Sequence, residues 1–185
     1  MPRARCWTTC SRVAESHAGL PATRAIGWPR TLGYLAWVLV MALFFAEVEI
    51  QIEGAAGWAA QLPTWRIDTH WLLDIFWGGR PMTGYHAWVF SFMALAFFAP
   101  LAFVGRWQWR EAALALAGLM LFWMVEDFLW FVLNPAFGWA RFEPASVPWH
   151  KRWWMGAPVD YWEALIGAAL ILAFINRAPR AGRAR

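Results

Sequence analysis

Two carboxylic acids stand side by side, Glu126-Asp127, in the apolar run Met124-Val125-Glu126-Asp127-Phe128-Leu129-Trp130, which continues to Leu133 before Asn134-Pro135 interrupts it. At 1.5 Å per helical residue the pair lies about 10 Å inside the end of its run. A charged side chain at such a place costs on the order of 2.5 to 3.5 kcal/mol near the bilayer centre and less towards its edge, so two adjacent ones need a reason. The chemistry they could do is that of a proton donor, a proton relay or a metal ligand. The structural alternative is a pair bonded to Asn134, to a tryptophan N–H or to a loop arginine. Helical neighbours point about 100° apart, so at most one of the two is expected to face a bundle axis squarely. Glu126 shares its stripe with Trp123 and Trp130, and Asp127 shares its own with Phe131 and Asn134. Lack of water and a like neighbour both favour one of them holding its proton, the form in which a carboxyl group acts as a general acid.

Further acids and imidazoles cluster at the same end of the chain's apolar runs. In Glu47-Val48-Glu49-Ile50-Gln51-Ile52-Glu53-Gly54, Glu49 and Glu53 share one face and Glu47 shares another with Gln51. Glu47, the deepest, is the expected inward partner of Glu126, and Glu53 reads as a solvated helix end. His86 opens the second apolar run, and His70 and Asp74 are one turn apart. His150 lies in Pro148-Trp149-His150-Lys151-Arg152-Trp153-Trp154. Glutamates and histidines from different helices suit a divalent metal, with Glu47, His86, Glu126 and His150 as the candidate ligands. No Glu-x-x-His or His-Glu-x-x-His pattern supports this, so it depends on convergence in three dimensions. Asp160 and Glu163 suit the positive end of a helix dipole as well as a pocket, and Lys151 and Arg152 are the nearest cations in sequence to neutralise these acids.

The elements that must position these residues follow from composition. Of 185 residues, 61% are hydrophobic and only 15% charged, which no soluble fold sustains. Four apolar stretches, about 32–50, 86–104, 112–133 and 158–176, each approach the twenty or so residues that cross a bilayer. Eleven of the 16 basic residues flank them on one side, from Arg3 to Arg30, at Arg106 and Arg110, and from Arg177 to Arg185. Ten of the 12 acids lie on the other. The positive-inside rule makes the basic side cytoplasmic, with both termini there, and topology then accounts for the formal +4 without nucleic acid. Segments 1–30 and 178–185 read as disordered basic tails flanking a membrane domain over 31–177. Cys6 and Cys10 are expected to be reduced thiols, since their spacing is not Cys-x-x-Cys. The two long connections carry tryptophans (Trp58, Trp65, Trp71 and Trp77, then Trp139, Trp149, Trp153 and Trp154) and should lie in the headgroup layer, half wet and half apolar.

The strings Ile50-Gln51-Ile52-Glu53-Gly54, Leu62-Pro63-Thr64-Trp65-Arg66 and Thr83-Gly84-Tyr85-His86 resemble those of a family of small, functionally uncharacterised bacterial integral membrane proteins. So do Glu126-Asp127-Phe128-Leu129-Trp130-Phe131 with Asn134-Pro135, and Trp149-His150-Lys151 with Pro158, Asp160 and Tyr161. The resemblance covers residues 32–176 and implies placement in the bacterial cytoplasmic membrane, not an activity. Locally, Val125-Glu126-Asp127-Phe128-Leu129 resembles the acidic motif of the heterodimeric lycopene cyclases, though without the proline usual before it. That likeness implies a buried acid that protonates an olefin.

These readings predict an all-α, four-helix transmembrane bundle with tryptophan-rich interfacial loops. Its expected pocket gathers Glu47, His86, Glu126, Asp127, His150, Asp160 and Glu163, with Trp130, Asn134, His150, Asp160 and Tyr161 binding a lipid-like substrate and Glu126, Asp127 and Glu47 doing acid-base chemistry. A metal-binding membrane protein and a non-enzymatic subunit of a membrane complex are the alternatives, and homo-oligomerisation is left open. Proton-coupled transport is disfavoured because a relay needs polar steps through the other half of the bundle too.

Overall fold

The computed structural model describes residues 25–103 and 107–177. The expected basic tails, apart from residues 25–30, and Cys6, Cys10 and Arg106 lie outside the described residues. Four long helices, α1 (Trp28–Glu53), α3 (Gly84–Phe103), α4 (Trp109–Leu133) and α5 (Val159–Asn176), are each apolar enough to cross a membrane. Between α1 and α3 lies a six-residue helix, α2 (Trp71–Phe76). The expected spans therefore stand, with their ends moved by a few residues. Large apolar side chains such as Phe44, Trp88 and Phe103 are 69%, 76% and 88% exposed. A multi-pass membrane protein presents such a surface to lipid, where it costs nothing.

The ends of these helices follow from local chemistry. Pro29 sits in the first turn of α1, where its missing N–H is harmless, and Gly54 closes the helix at φ 60°, with its N–H donating to the Ile50 carbonyl at 2.9 Å. Thr83 caps α3 by accepting the His86 N–H at 3.2 Å. Pro100 lies inside α3, one turn from its end. Asn134 ends α4 and ties it to α1, its Nδ2 donating to the Gly54 carbonyl at 2.8 Å while its Oδ1 accepts from the Ala136 N–H at 2.9 Å.

Helix α4 is the axis of the bundle: α1 and α5 pack along it and α3 leans on a shorter stretch. Close approach comes from small side chains, because helices in lipid gain from van der Waals fit rather than from expulsion of water. Ala42 and Ala46 on α1, Ala117 on α4 and Ala168 on α5 are all fully buried. At one end of the bundle Arg110 donates to the Ile175 carbonyl and, at 3.3 Å, to that of Arg177, satisfying the last turn of α5. Arg30 grips Glu111 there with two bonds of 2.6 and 2.8 Å.

At the other end the connections are structured. Strand β1 (Arg66–Ile67) pairs antiparallel with β2 (Met82–Thr83), and β3 (Trp153–Trp154) with β4 (Ala157–Pro158). A 3-10 turn spans Trp139–Arg141. Trp65, Trp71, Trp139 and Trp154 are exposed as interfacial residues should be, whereas Trp58 is 8% exposed and Trp149 half-buried.

Gly118 faces the Tyr34 ring, where a Cβ would meet Cε1 at 2.6 Å. Gly118→Val should therefore lower the melting temperature of the detergent-solubilised protein by an overpacking cost of about 1 to 3 kcal/mol. Adding Tyr34→Ala should recover most of it, which thermal denaturation of the single and double variants measures.

Candidate functional site

Where α1 and α4 end and α3 and α5 begin, the four helices splay around a cavity of about 250 Å³. Each helix brings ionisable groups to it: Glu49 and Glu53 from α1, His86 from α3, Glu126 and Asp127 from α4, Asp160 and Tyr161 from α5. The connections close it with Trp58, Arg80 and Trp149. Apolar floor and walls come from Met120, Met124 and Trp123 on α4, Val89 and Phe90 on α3 and Ala164 on α5.

Half of the polar groups form one connected network. Asp127 Oδ2 accepts from the Tyr161 hydroxyl and lies 3.0 Å from His150 Nε2. The other nitrogen of that ring, Nδ1, faces Asp160 Oδ1 at 3.4 Å, close enough for an ion pair but without a hydrogen bond's alignment. Asp160 Oδ2 in turn is ion-paired with Arg80. His150 thus stands enclosed between two carboxylates. Burial pushes the Arg80 guanidinium below its ordinary range while the Asp127 charge pushes it back up. Arg80 and the His150 ring thus face Asp127 and Asp160 from the connections, and Arg80 brings the permanent positive charge to them.

His86 and Trp58 form a second unit. His86 Nδ1 lies 2.6 Å from Thr83 Oγ1, which commits that nitrogen and leaves Nε2 for the cavity. Its ring stacks on Trp58, centroid to centroid 4.0 Å at 21°. Trp58 donates its Nε1 proton to the Pro81 carbonyl at 2.8 Å and carries the Arg80 guanidinium over its ring at 5.1 Å. Both Trp58 and Ala59 are left-handed, with φ 55° and 51°. Such conformations cost of order 1 to 3 kcal/mol each in non-glycine residues and persist where surrounding contacts impose them. Here the Ala59 N–H bonds Glu53 Oε1 at 2.5 Å and Arg66 reaches the Ala59 carbonyl at 3.2 Å. Gly57 lets the loop close, since a Cβ there would meet Trp149 at 2.5 Å and Trp130 at 3.0 Å.

Glu126 belongs to neither unit. It is 6% exposed, borders the cavity and makes no hydrogen bond among the described residues. Glu49, 7% exposed, is similarly placed: the Tyr85 hydroxyl faces it from α3 without closing a hydrogen bond. Trp130, between them and Trp149, has a buried indole N–H with no partner. Unsatisfied buried groups are costly enough that a cluster of them marks a place where something else binds.

The structure brings Glu126, Asp127, His86, Trp130, Asp160 and Tyr161 to this cavity and sets His150 directly behind its wall. Several expectations are corrected. Glu47 is exposed, and Glu49 and Glu53 take the inward place assigned to it. The face of Glu47 carries Val40, Leu43 and Phe44, all lipid-exposed, whereas that of Glu49 carries Ala42 and Ala46. Glu163 points outward, while Asp160, one turn earlier, points in. Asn134 is 2% exposed and its two amide atoms bond Gly54 at the end of α1 and Ala136 after α4, so its place is structural. Lys151 and Arg152 are exposed, and Arg80 is the cation that meets the acids. Glu126 and Asp127 also both reach the cavity, because it is wide enough to subtend the angle between them. The metal set Glu47, His86, Glu126 and His150 does not converge, and no group of three or more His, Cys, Asp or Glu side chains is arranged to hold a metal among the described residues.

No protein-family model, curated protein or solved structure matches the chain.

Arg80→Met should leave Asp160 beside a half-satisfied His150 and destabilise the protein by about 2 kcal/mol or more. Arg80→Met with Asp160→Asn removes both charges and should be the milder change. Melting temperatures of the two variants in one detergent decide the order.

Proposed function

We propose that this protein performs acid-base chemistry on a lipid-like molecule held in the cavity, with Glu126 as proton donor. The observation that carries the reading is Glu126 itself: a carboxyl group enclosed in an aromatic chamber, bordering empty space and engaged by no neighbour. A general acid needs that freedom, because its proton must be available to the substrate rather than to the fold. Asp127 is its opposite, held by Tyr161 and His150, and serves as a fixed anion. When the Glu126 O–H bond breaks and the proton joins an electron-rich carbon or heteroatom of the substrate, positive charge develops there. The Trp123 and Trp149 indoles and the Asp127 carboxylate, which border the cavity, would stabilise it. Loss of a different proton from the substrate to Glu49 and its return to Glu126 closes the cycle. The net change is an isomerisation or ring closure needing no oxidant or reductant. The local likeness of Val125-Glu126-Asp127-Phe128-Leu129 to the acidic motif of lycopene cyclases points the same way. The metal alternative lacks its ligand set, and no observation favours the complex-subunit reading.

The same reading puts the protein in the bacterial cytoplasmic membrane, with both termini inside and the cavity towards the outer face. Its support is the excess of arginine at the opposite end of the bundle and the resemblance of residues 32–176. A periplasm-dependent reporter fused after Arg177 should be inactive, and one inserted after Ala145 active; the reverse pattern would overturn this orientation.

Expression of the wild type and of Glu126→Gln in a bacterial host, followed by profiling of extracted lipids, tests the chemistry. The wild type should deplete or create at least one species by tenfold or more, Glu126→Gln should not, and Glu47→Gln should behave as wild type. Identical lipid profiles at equal protein abundance would sink the proposal.

A further inference from the structure

The cavity is lined by more carboxyl groups than its internal partners engage. Asp127 and Asp160 are matched by His150 and Arg80, and Glu53 takes the Ala59 N–H. Arg80 is the only lysine or arginine bordering the space among the described residues. Glu126 and Glu49, both more than nine-tenths buried, are left facing it with no cation and no hydrogen bond. Around them stand the indoles of Trp58, Trp123, Trp130 and Trp149 and the Phe90 ring. Aromatic faces and carboxylates repel anions and favour one class of ligand, an organic cation too bulky to demand full hydration.

The volume sets the size of the charged part. About 250 Å³ is at or just below the range of roughly 300 to 1,000 Å³ usual for small-molecule pockets, so it holds a headgroup or a small ring and not a whole amphiphile. The shape sets the direction of the remainder. Helices α3 and α5 both rest on α4 but hardly on each other, and on this side the cavity wall is Val89 of α3, Met120 and Met124 of α4 and Ala164 of α5. Methionines are adaptable walls for an irregular chain, and Trp88 on α3 and Leu165 on α5 are exposed beside it.

We infer that the cavity binds lipophilic organic cations, an amine or quaternary ammonium group among Glu126, Glu49 and the indoles, with its alkyl tail running out between α3 and α5. The inference rests on the proposed chemistry in one respect: the ammonium stands where proton transfer would place positive charge on the substrate. Binding itself requires only the unmatched acids and the aromatic walls.

The test is equilibrium binding of dodecyltrimethylammonium to the purified full-length chain in a neutral maltoside. The comparison is its uncharged carbon isostere, in which a tert-butyl group replaces the trimethylammonium. The cation should bind at least tenfold more tightly than the isostere. Glu126→Gln and Glu49→Gln, which keep shape but cannot ionise to meet the ammonium, should each weaken the cation by about tenfold and leave the isostere unchanged. Glu47→Gln, on the lipid face, should alter neither. Ala164→Phe, which narrows the cleft from α5, should weaken both ligands, and a shorter tetramethylammonium probe should escape that effect. Equal affinity for cation and isostere, or undiminished cation binding by both glutamine variants at unchanged melting temperature, overturns the inference. The two proposals fail separately. Selective cation binding with a lipid profile that ignores Glu126→Gln removes the chemistry alone, while a Glu126-dependent profile without cation selectivity removes this inference alone.

Discussion

Ionisable side chains buried in an apolar bundle must find partners or be kept neutral, and this one requirement organises the acidic end of the molecule. Helix α4 cannot satisfy Asp127 by itself, because within a turn it offers only apolar and aromatic side chains and a second acid, Glu126. The partners come instead from the start of α5, as Tyr161 and Asp160, and from two connections that fold back over the bundle with His150 and Arg80. That explains why loops long enough to wander are pinned by short strand pairs and by indole N–H bonds to carbonyls, such as Trp58 to Pro81 and Trp153 to His150. A charge balanced in this way adds little net stability over an apolar pair but makes misplacing either partner expensive. The network therefore fixes where the loops sit more than how stable the bundle is.

The bundle was legible because it depends on quantities that a sequence displays. Apolar length, sparse charge and the segregation of arginine from acid are one-dimensional properties, and the four spans followed with errors of a few residues at their ends. The register of α1 was legible too, but from a different signal than charge depth. Glu47 is the deepest acid in sequence, yet small residues, not depth, decide which face of a lipid-embedded helix turns inward. Val38, Ala42 and Ala46 mark a stripe that continues to Glu49 and Glu53, and bulky Val40, Leu43 and Phe44 mark the one that carries Glu47. The same logic separates Asp160 from Glu163.

What was not legible is whatever long-range closure decides. Trp58 looks like any interfacial tryptophan in a Gly-Trp-Ala string, and nothing local announces that the chain will turn left-handed there and slide the indole over His86. Arg80, set between two glycines and a proline, looks like a solvated turn residue. Its pairing with Asp160 joins positions 80 residues apart in sequence, and Lys151 and Arg152 lie nearer in the chain but outside the fold's interior. Asn134 failed in the other direction: its polarity at a helix end invited a ligand, and the helix end itself used both its amide atoms.

The contrast between the two adjacent acids is the argument for a working site rather than a structural one. A fold that needed carboxylates only to hold helices together would satisfy both, since every idle polar atom in lipid-buried surroundings costs stability. Here one turn of α4 carries an aspartate engaged by Tyr161 and His150 and, 100° away, a glutamate bonded to nothing among the described residues. Across the cavity from α1 another unbonded glutamate joins it, beside Trp58, whose backbone is held in a costly conformation. Expense of three kinds, in unpaired acid, unpaired indole and left-handed backbone, falls within one small volume. Structural economy would scatter or remove such expense, and a binding requirement concentrates it.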